Sequence, residues 1–151
     1  MTATRIPTVP LILGLSGLIP FIWGAATHLI MPAALLDTPS WQLFTGRNVL
    51  LAYGITILSF MSGTIWGFAT RSPNPTAAWG FALSVLPALF GFFAFRAAPG
   101  LACLALVFGF VALLSLDLRA IRLAEAPHWW LPLRLILTTV VCACLLVGAF
   151  A

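Results

Sequence analysis

Lysine is absent from this chain, and only three residues are acidic, Asp37, Asp117 and Glu125. With seven arginines added, charged residues fill 7% of the 151 positions, against about 25% in soluble domains. So few charges cannot cover a water-facing surface, which excludes a soluble globular domain, a disordered chain and a nucleic-acid binder. The same scarcity removes most catalytic constellations. The sequence has no CxxC, no HExxH, no Gly-rich phosphate loop after a strand and no carboxylate pair inside an apolar run. Two histidines and three acids offer no sign of a nucleophile with its base. The expectation is a non-catalytic protein with no cofactor or metal, beyond a bound lipid or quinone. The three cysteines, Cys103, Cys142 and Cys144, sit inside apolar runs. The latter two diverge by about 200° on a helix, so all three read as packing residues.

What the sequence does have is hydrocarbon: 62% hydrophobic residues and a mean hydropathy of +1.13. A helix needs about 20 apolar residues to cross a bilayer. Five stretches qualify, at residues 10–31, 48–69, 76–95, 100–118 and 131–151. They predict an all-α integral membrane bundle of five transmembrane helices, a single domain over 1–151. The first stretch is too long for a signal-peptide core and is expected to remain as a span. Short connections predict antiparallel neighbours. The longer segment Asp37–Phe44 reads as a short interfacial helix, and helix four is expected to extend past Arg119 until Pro127 breaks it.

Arginine placement predicts orientation. Arg5, Arg71, Arg119, Arg122 and Arg134 share one side, and Arg47 and Arg96 the other. The positive-inside rule puts the N-terminus in the cytoplasm and the C-terminus outside, in the periplasm. Trp66, Trp79, Trp129 and Trp130 then fall in the cytoplasmic aromatic belt, and Trp41 in the outer one.

Four groups of residues are candidates for more than filling a span. Asp117 and Arg134 lie near facing helix ends, where an unpaired charge is costly. A structural ion pair is the leading reading, with proton or ligand handling and separate snorkelling as alternatives. Ser59, Gly63 and Gly67 fall at i, i+4 and i+8, and Gly14, Gly17 and Gly24 give helix one a similar small face. Such faces let backbones approach. Packing within the bundle is favoured over docking to a partner's helix. Pro20 and Pro87 interrupt spans one and three. They read as kinks, or as the walls of a cavity lined with Trp23, Trp66 and Ser84. On the opposite side His28, Arg47 and Arg96 are candidate contacts for lipid headgroups.

Four stretches also carry a resemblance. They are Gly14-Leu15-Ser16-Gly17-Leu18-Ile19-Pro20-Phe21, Ile57 through Gly67, Ser84-Val85-Leu86-Pro87, and Trp130-Leu131-Pro132-Leu133-Arg134 with Leu137-Thr138. Their order and spacing resemble the transmembrane-protein-69-like family of small multi-helix membrane proteins, a domain of unknown function. The resemblance implies an inner-membrane address and supplies no reaction. The expected role is an accessory or assembly subunit that packs against a larger respiratory or photosynthetic complex, with membrane lipids and other membrane subunits as partners. The alternative is a binder or transporter of a small apolar ligand such as a quinone or tetrapyrrole.

Overall fold

The computed structural model describes residues 5–31, 43–71 and 77–151. Among these there is no strand. The helices are α1 (Thr8–Ser16), α2 (Ile19–Ile30), α3 (Gly46–Arg71), α4 (Ala77–Ala94), α5 (Pro99–Arg122) and α6 (Trp130–Phe150). The chain forms an all-α bundle of membrane helices, in the expected order. Four spans are long and apolar enough to cross a bilayer, Thr8–Ile30, Gly46–Arg71, Pro99–Arg122 and Trp130–Phe150. The remaining helix, α4, has 18 residues. At 1.5 Å per residue it reaches about 27 Å, a little short of the roughly 30 Å hydrocarbon core. The Asp37–Phe44 helix falls mostly on residues outside the described set, as do Trp41 and the turn after Arg71.

Span one is two helices rather than one kinked rod. The ladder tightens where Leu18 N–H bonds the Leu15 carbonyl at 3.1 Å, and α2 restarts with Pro20 in its first turn. A proline needs no N–H partner there. Helix α5 stops at Arg122, five residues before Pro127. Ala124 adopts a left-handed φ of 56°, and the Glu125 and Ala126 amides turn back onto the Ala120 carbonyl. This C-terminal turn ends the helix without help from proline.

The centre is a ring of α2, α3, α5 and α6, with α4 seated on α3 and α5 and α1 resting lightly on α6. Leu50, Leu58, Leu106, Phe110, Leu113 and Leu145 are completely buried in it. Lipid is as apolar as leucine, so close packing rather than water exclusion must hold the helices together. Single glycines make that packing close. A Cβ at Gly148 would lie 2.6 Å from Leu50, one at Gly24 3.0 Å from the same leucine, and one at Gly54 2.8 Å from Leu106. The outside is studded with exposed phenylalanine and leucine, such as Phe92, Phe93, Phe108 and Leu101, as expected where hydrocarbon is the solvent.

Two sequence expectations about small faces part ways here. Gly14 and Gly24 do pack, against Leu137 and Leu50, and Gly17 lies near the Tyr53 hydroxyl. Gly63 and Gly67 do not, because nothing among the described residues lies within 4 Å of a Cβ at either. The buried line of α3 runs through Gly54, Leu58, Ser62, Ile65 and Ala69. Gly63 is one residue, or about 100°, around the helix from Ser62. Ser59 is half-buried at the margin, so this small face points outward rather than into the bundle.

Candidate functional site

Asp117 and Arg134 meet. Asp117 sits near the end of α5 and Arg134 one turn into α6, and the turn at Ala124 brings these ends together. The Arg134 Nε donates to one carboxylate oxygen at 2.9 Å, and the side chains are 3% and 1% exposed. The indole Nε1 of Trp130 donates to the other oxygen at 2.7 Å. Trp130 is thus part of the interior rather than a plain belt residue, and its ring stacks edge-on against Phe68 of α3 at 5.4 Å. Both carboxylate oxygens are engaged, and the pair carries no net charge.

Two polar atoms at this place remain unmatched. Arg134 Nη2 and the Thr138 hydroxyl are buried and have no hydrogen-bond partner among the described residues. The threonine is informative by contrast. Its neighbour Thr139, and Ser16, Thr56, Thr64, Thr70 and Ser115, each return the hydroxyl to a carbonyl three or four residues back. Thr138 does not. It lies one turn beyond Arg134, on the same face of α6. An unmatched buried donor costs about 1–3 kcal/mol.

Both residues line a cavity of about 430 Å³. Leu13, Gly14 and Gly17 of α1 and its junction form one wall, and Phe60, Met61 and Thr64 of α3 another. Leu133 and Leu137 of α6 close it, with Phe21 and Phe110 deepest. The exposed side chains Val9, Leu13 and Phe60 mark its mouth between α1 and α3. Apart from the Arg134, Thr138 and Trp130 end, the walls are almost wholly apolar.

The cavity is not where the sequence put it. Pro20 belongs to the α1–α2 junction beside it, but Trp23, Trp66, Ser84 and Pro87 do not line it. Trp23 faces outward, 52% exposed, and donates to the Phe44 carbonyl at 2.8 Å. Trp66 packs edge-on against Phe81. Ser84 returns its hydroxyl to Phe81, and its carbonyl accepts the Ser62 hydroxyl, tying α3 to α4 close to Pro87. Pro87 lines a separate groove of about 260 Å³ between α4 and α5. Of the two kinking prolines, Pro20 marks the break beside the cavity, between α1 and α2, and Pro87 does not.

The opposite end of the bundle is closed differently. Arg47 donates through Nε to the Gly148 carbonyl, satisfying the end of α6. Its Nη2 lies 3.3 Å from His28 Nε2. A guanidinium only donates, so the His28 ring nitrogen is the acceptor in this contact. These two residues thus contact each other and a helix end, and both are half-buried. Arg96 is exposed, and Asp37 lies outside the described residues. No group of three metal-ligating side chains occurs among the described residues.

Residues 6–150 match the family described as Protein of unknown function (DUF3429). The chain belongs to this family. It is 35% identical over 138 residues to Transmembrane protein 69 of Xenopus tropicalis, covering 89% of this chain and 51% of that protein. The chain thus spans about half the length of this curated relative. No solved structure matches it.

Proposed function

We propose that this member of the DUF3429 family is a non-catalytic inner-membrane protein that holds one small apolar molecule in the cavity between α1 and α3. One observation carries the reading: a lateral apolar cavity of about 430 Å³ whose one end is lined by the buried Arg134 and Thr138. Its size lies within the roughly 300–1,000 Å³ range of small-molecule sites, which pair apolar walls with a few placed polar groups. The wall residues include no histidine or cysteine, which favours a quinone-like or lipid-like occupant over a metallated tetrapyrrole. The excess of arginine on the N-terminal side supports a cytoplasmic N-terminus and a periplasmic C-terminus; in that orientation the cavity belongs to the cytoplasmic leaflet. Purification in mild detergent, with mass spectrometry of extracted small molecules, tests the reading. One apolar species should be retained in near-stoichiometric amount and lost when Thr64→Phe or Leu13→Trp fills the cavity. Retention of nothing beyond bulk lipid by the unaltered protein would overturn it.

A second reading has its own observation. The outward Ser59, Gly63 and Gly67 face suits docking of another membrane protein's helix, as in an accessory subunit of a bioenergetic complex. Gly63→Leu should then leave the isolated protein folded while abolishing co-purification of the partner. Unchanged co-purification would sink this reading.

A further inference from the structure

Inside the cavity no wall side chain has a donor to spare for an occupant. The Thr64 hydroxyl donates to the Met61 carbonyl at 2.6 Å, and the Trp130 indole is held by Asp117. The unmatched Arg134 Nη2 and Thr138 Oγ1 are themselves buried and closed off from the cavity. An oxygen drawn inside would give up its water without replacement, so the part of the occupant that enters is hydrocarbon. Trp129, the other wall residue with an N–H on its side chain, stands just before α6, at the end where that span meets the membrane boundary.

The shape of the cavity fits such a chain. Its α6 wall runs from Trp130 to Val141, which is about 16 Å along the helix and close to half of the roughly 30 Å hydrocarbon core. Val9, Pro10 and Trp129 mark the boundary end, and Ile57 and Leu137 lie near the middle of their spans. The cavity is therefore about one leaflet deep and runs along the helices. The mouth between α1 and α3 lets a chain slide in sideways while its polar end stays at the boundary. Beyond the Asp117–Arg134 pair, that end of the bundle carries Arg5, Arg71, Arg119 and Arg122 against Glu125 among the described residues. Cations at a membrane surface attract anionic headgroups, whereas a quinone ring brings no charge to them.

We infer that the occupant is an anionic phospholipid, with one acyl chain lying along the cavity toward the midplane and its phosphate at the arginine-rich end. This rests on the reading of the cavity as a ligand site. A lipid seated in this way is a stoichiometric species that survives exchange into detergent, unlike bulk lipid.

The probes are two dipalmitoyl phosphatidylglycerols with a photoreactive diazirine on one chain, near its carboxyl end in one and near its methyl end in the other. Each is added to the full-length protein in phosphatidylcholine nanodiscs, and labelled residues are read by mass spectrometry after irradiation. The methyl-end probe should label Ile57, Met61 and Leu137, and the carboxyl-end probe Val9, Pro10 and Trp129. Thr64→Phe and Leu13→Trp should each lower the methyl-end labelling about tenfold. Labelling of Leu86 and Val111, exposed on α4 and α5, should not change, which shows that the variants remain folded in the bilayer. The same diazirines on phosphatidylcholine should label the cavity wall about threefold less. Equal labelling by phosphatidylcholine would overturn the inference, as would a reversed order of the two probes along the wall. Loss of wall labelling to excess decyl-benzoquinone, but not to excess unlabelled phosphatidylglycerol, would name a quinone instead. Each of these three results leaves the cavity reading intact. Wall labelling that neither variant lowers would come from lipid outside the bundle, and the cavity reading would fall with the inference.

Discussion

Each end of this bundle has an arginine on an inter-helix contact, and the two arginines do different work. Arg47 donates to the carbonyl of Gly148 and to His28, so its chemistry ends at the close of a helix. Arg134 meets a carboxylate that is itself shared with Trp130, and one guanidinium nitrogen remains unmatched beside a cavity. The backbone carbonyl at one end and the ionised side chain at the other explain the contrast. A helix end needs donors and absorbs them, whereas a carboxylate neutralises the arginine through one edge and leaves the other buried and unmatched. A buried cation is thus not in itself a functional sign.

The sharpest way to break this comparison is to remove the carboxylate. Asp117→Ala strands Arg134 in the interior and should cost about 3–5 kcal/mol, read as thermal unfolding of the purified protein. Replacing both partners, Asp117→Leu with Arg134→Met, should recover most of that loss, because an apolar pair of similar volume is often as stable as a buried ion pair. If the double variant is as unstable as the single one, the two residues do not act as a pair.

Packing at the Arg47 end gives the next effect. Gly148→Ala would drive a methyl group into Leu50 and should cost about 1–3 kcal/mol. Gly63→Ala, on the open face, should be neutral or stabilise slightly, since alanine is the better helix former by about 0.5–1 kcal/mol. Equal effects at the two positions would mean that the direction of the α3 face is wrong. Arg47→Gln should come next, at about 1–2 kcal/mol for the weakened cap on α6, with ligand retention unchanged. Loss of the ligand in that variant would erase the functional distinction between the two ends.

The contrast between Gly148 and Gly63 also shows what could be read from the chain beforehand. The spans were legible because bilayer thickness imposes length and apolarity, and both are sequence properties. Asp117 and Arg134 were legible as candidates because charge is scarce and both lie near helix ends. The direction of the Ser59, Gly63 and Gly67 stripe was not legible. In a soluble helix the buried face is the apolar one, but here the lipid face is equally apolar, so spacing defines a face without saying where it points. Gly54 and Gly148 were missed for a related reason, since each meets a leucine of another helix singly and forms no stripe. Trp130 looked like a belt residue because a tryptophan opening a span usually is one. Its bond to Asp117 depends on the tight turn at Ala124, which no turn-forming glycine or asparagine announces.

That turn supplies the smallest and cleanest comparison. Among the described residues, each end of the bundle has one residue with positive φ, Gly46 with φ 56° at the start of α3 and Ala124 with φ 56° after α5. At Gly46 the absence of a Cβ makes this conformation easy, and its N–H is held by the Thr27 hydroxyl at 2.8 Å. At Ala124 the Cβ crowds the backbone, at a cost of about 1–2 kcal/mol. The turn nevertheless forms because it carries α6 back so that Trp130 and Arg134 reach Asp117. Ala124→Gly removes that crowding but adds freedom to the unfolded chain, worth about 0.4–1 kcal/mol. The net effect should be a stabilisation of about 0.5–1 kcal/mol. Gly46→Ala should move the other way by a similar amount. Thermal unfolding of the two single variants in the same detergent measures both signs at once. Stabilisation by both, or destabilisation by both, would show that the backbone at one of these ends is not left-handed, and the turn that places the Asp117 cluster would need another explanation.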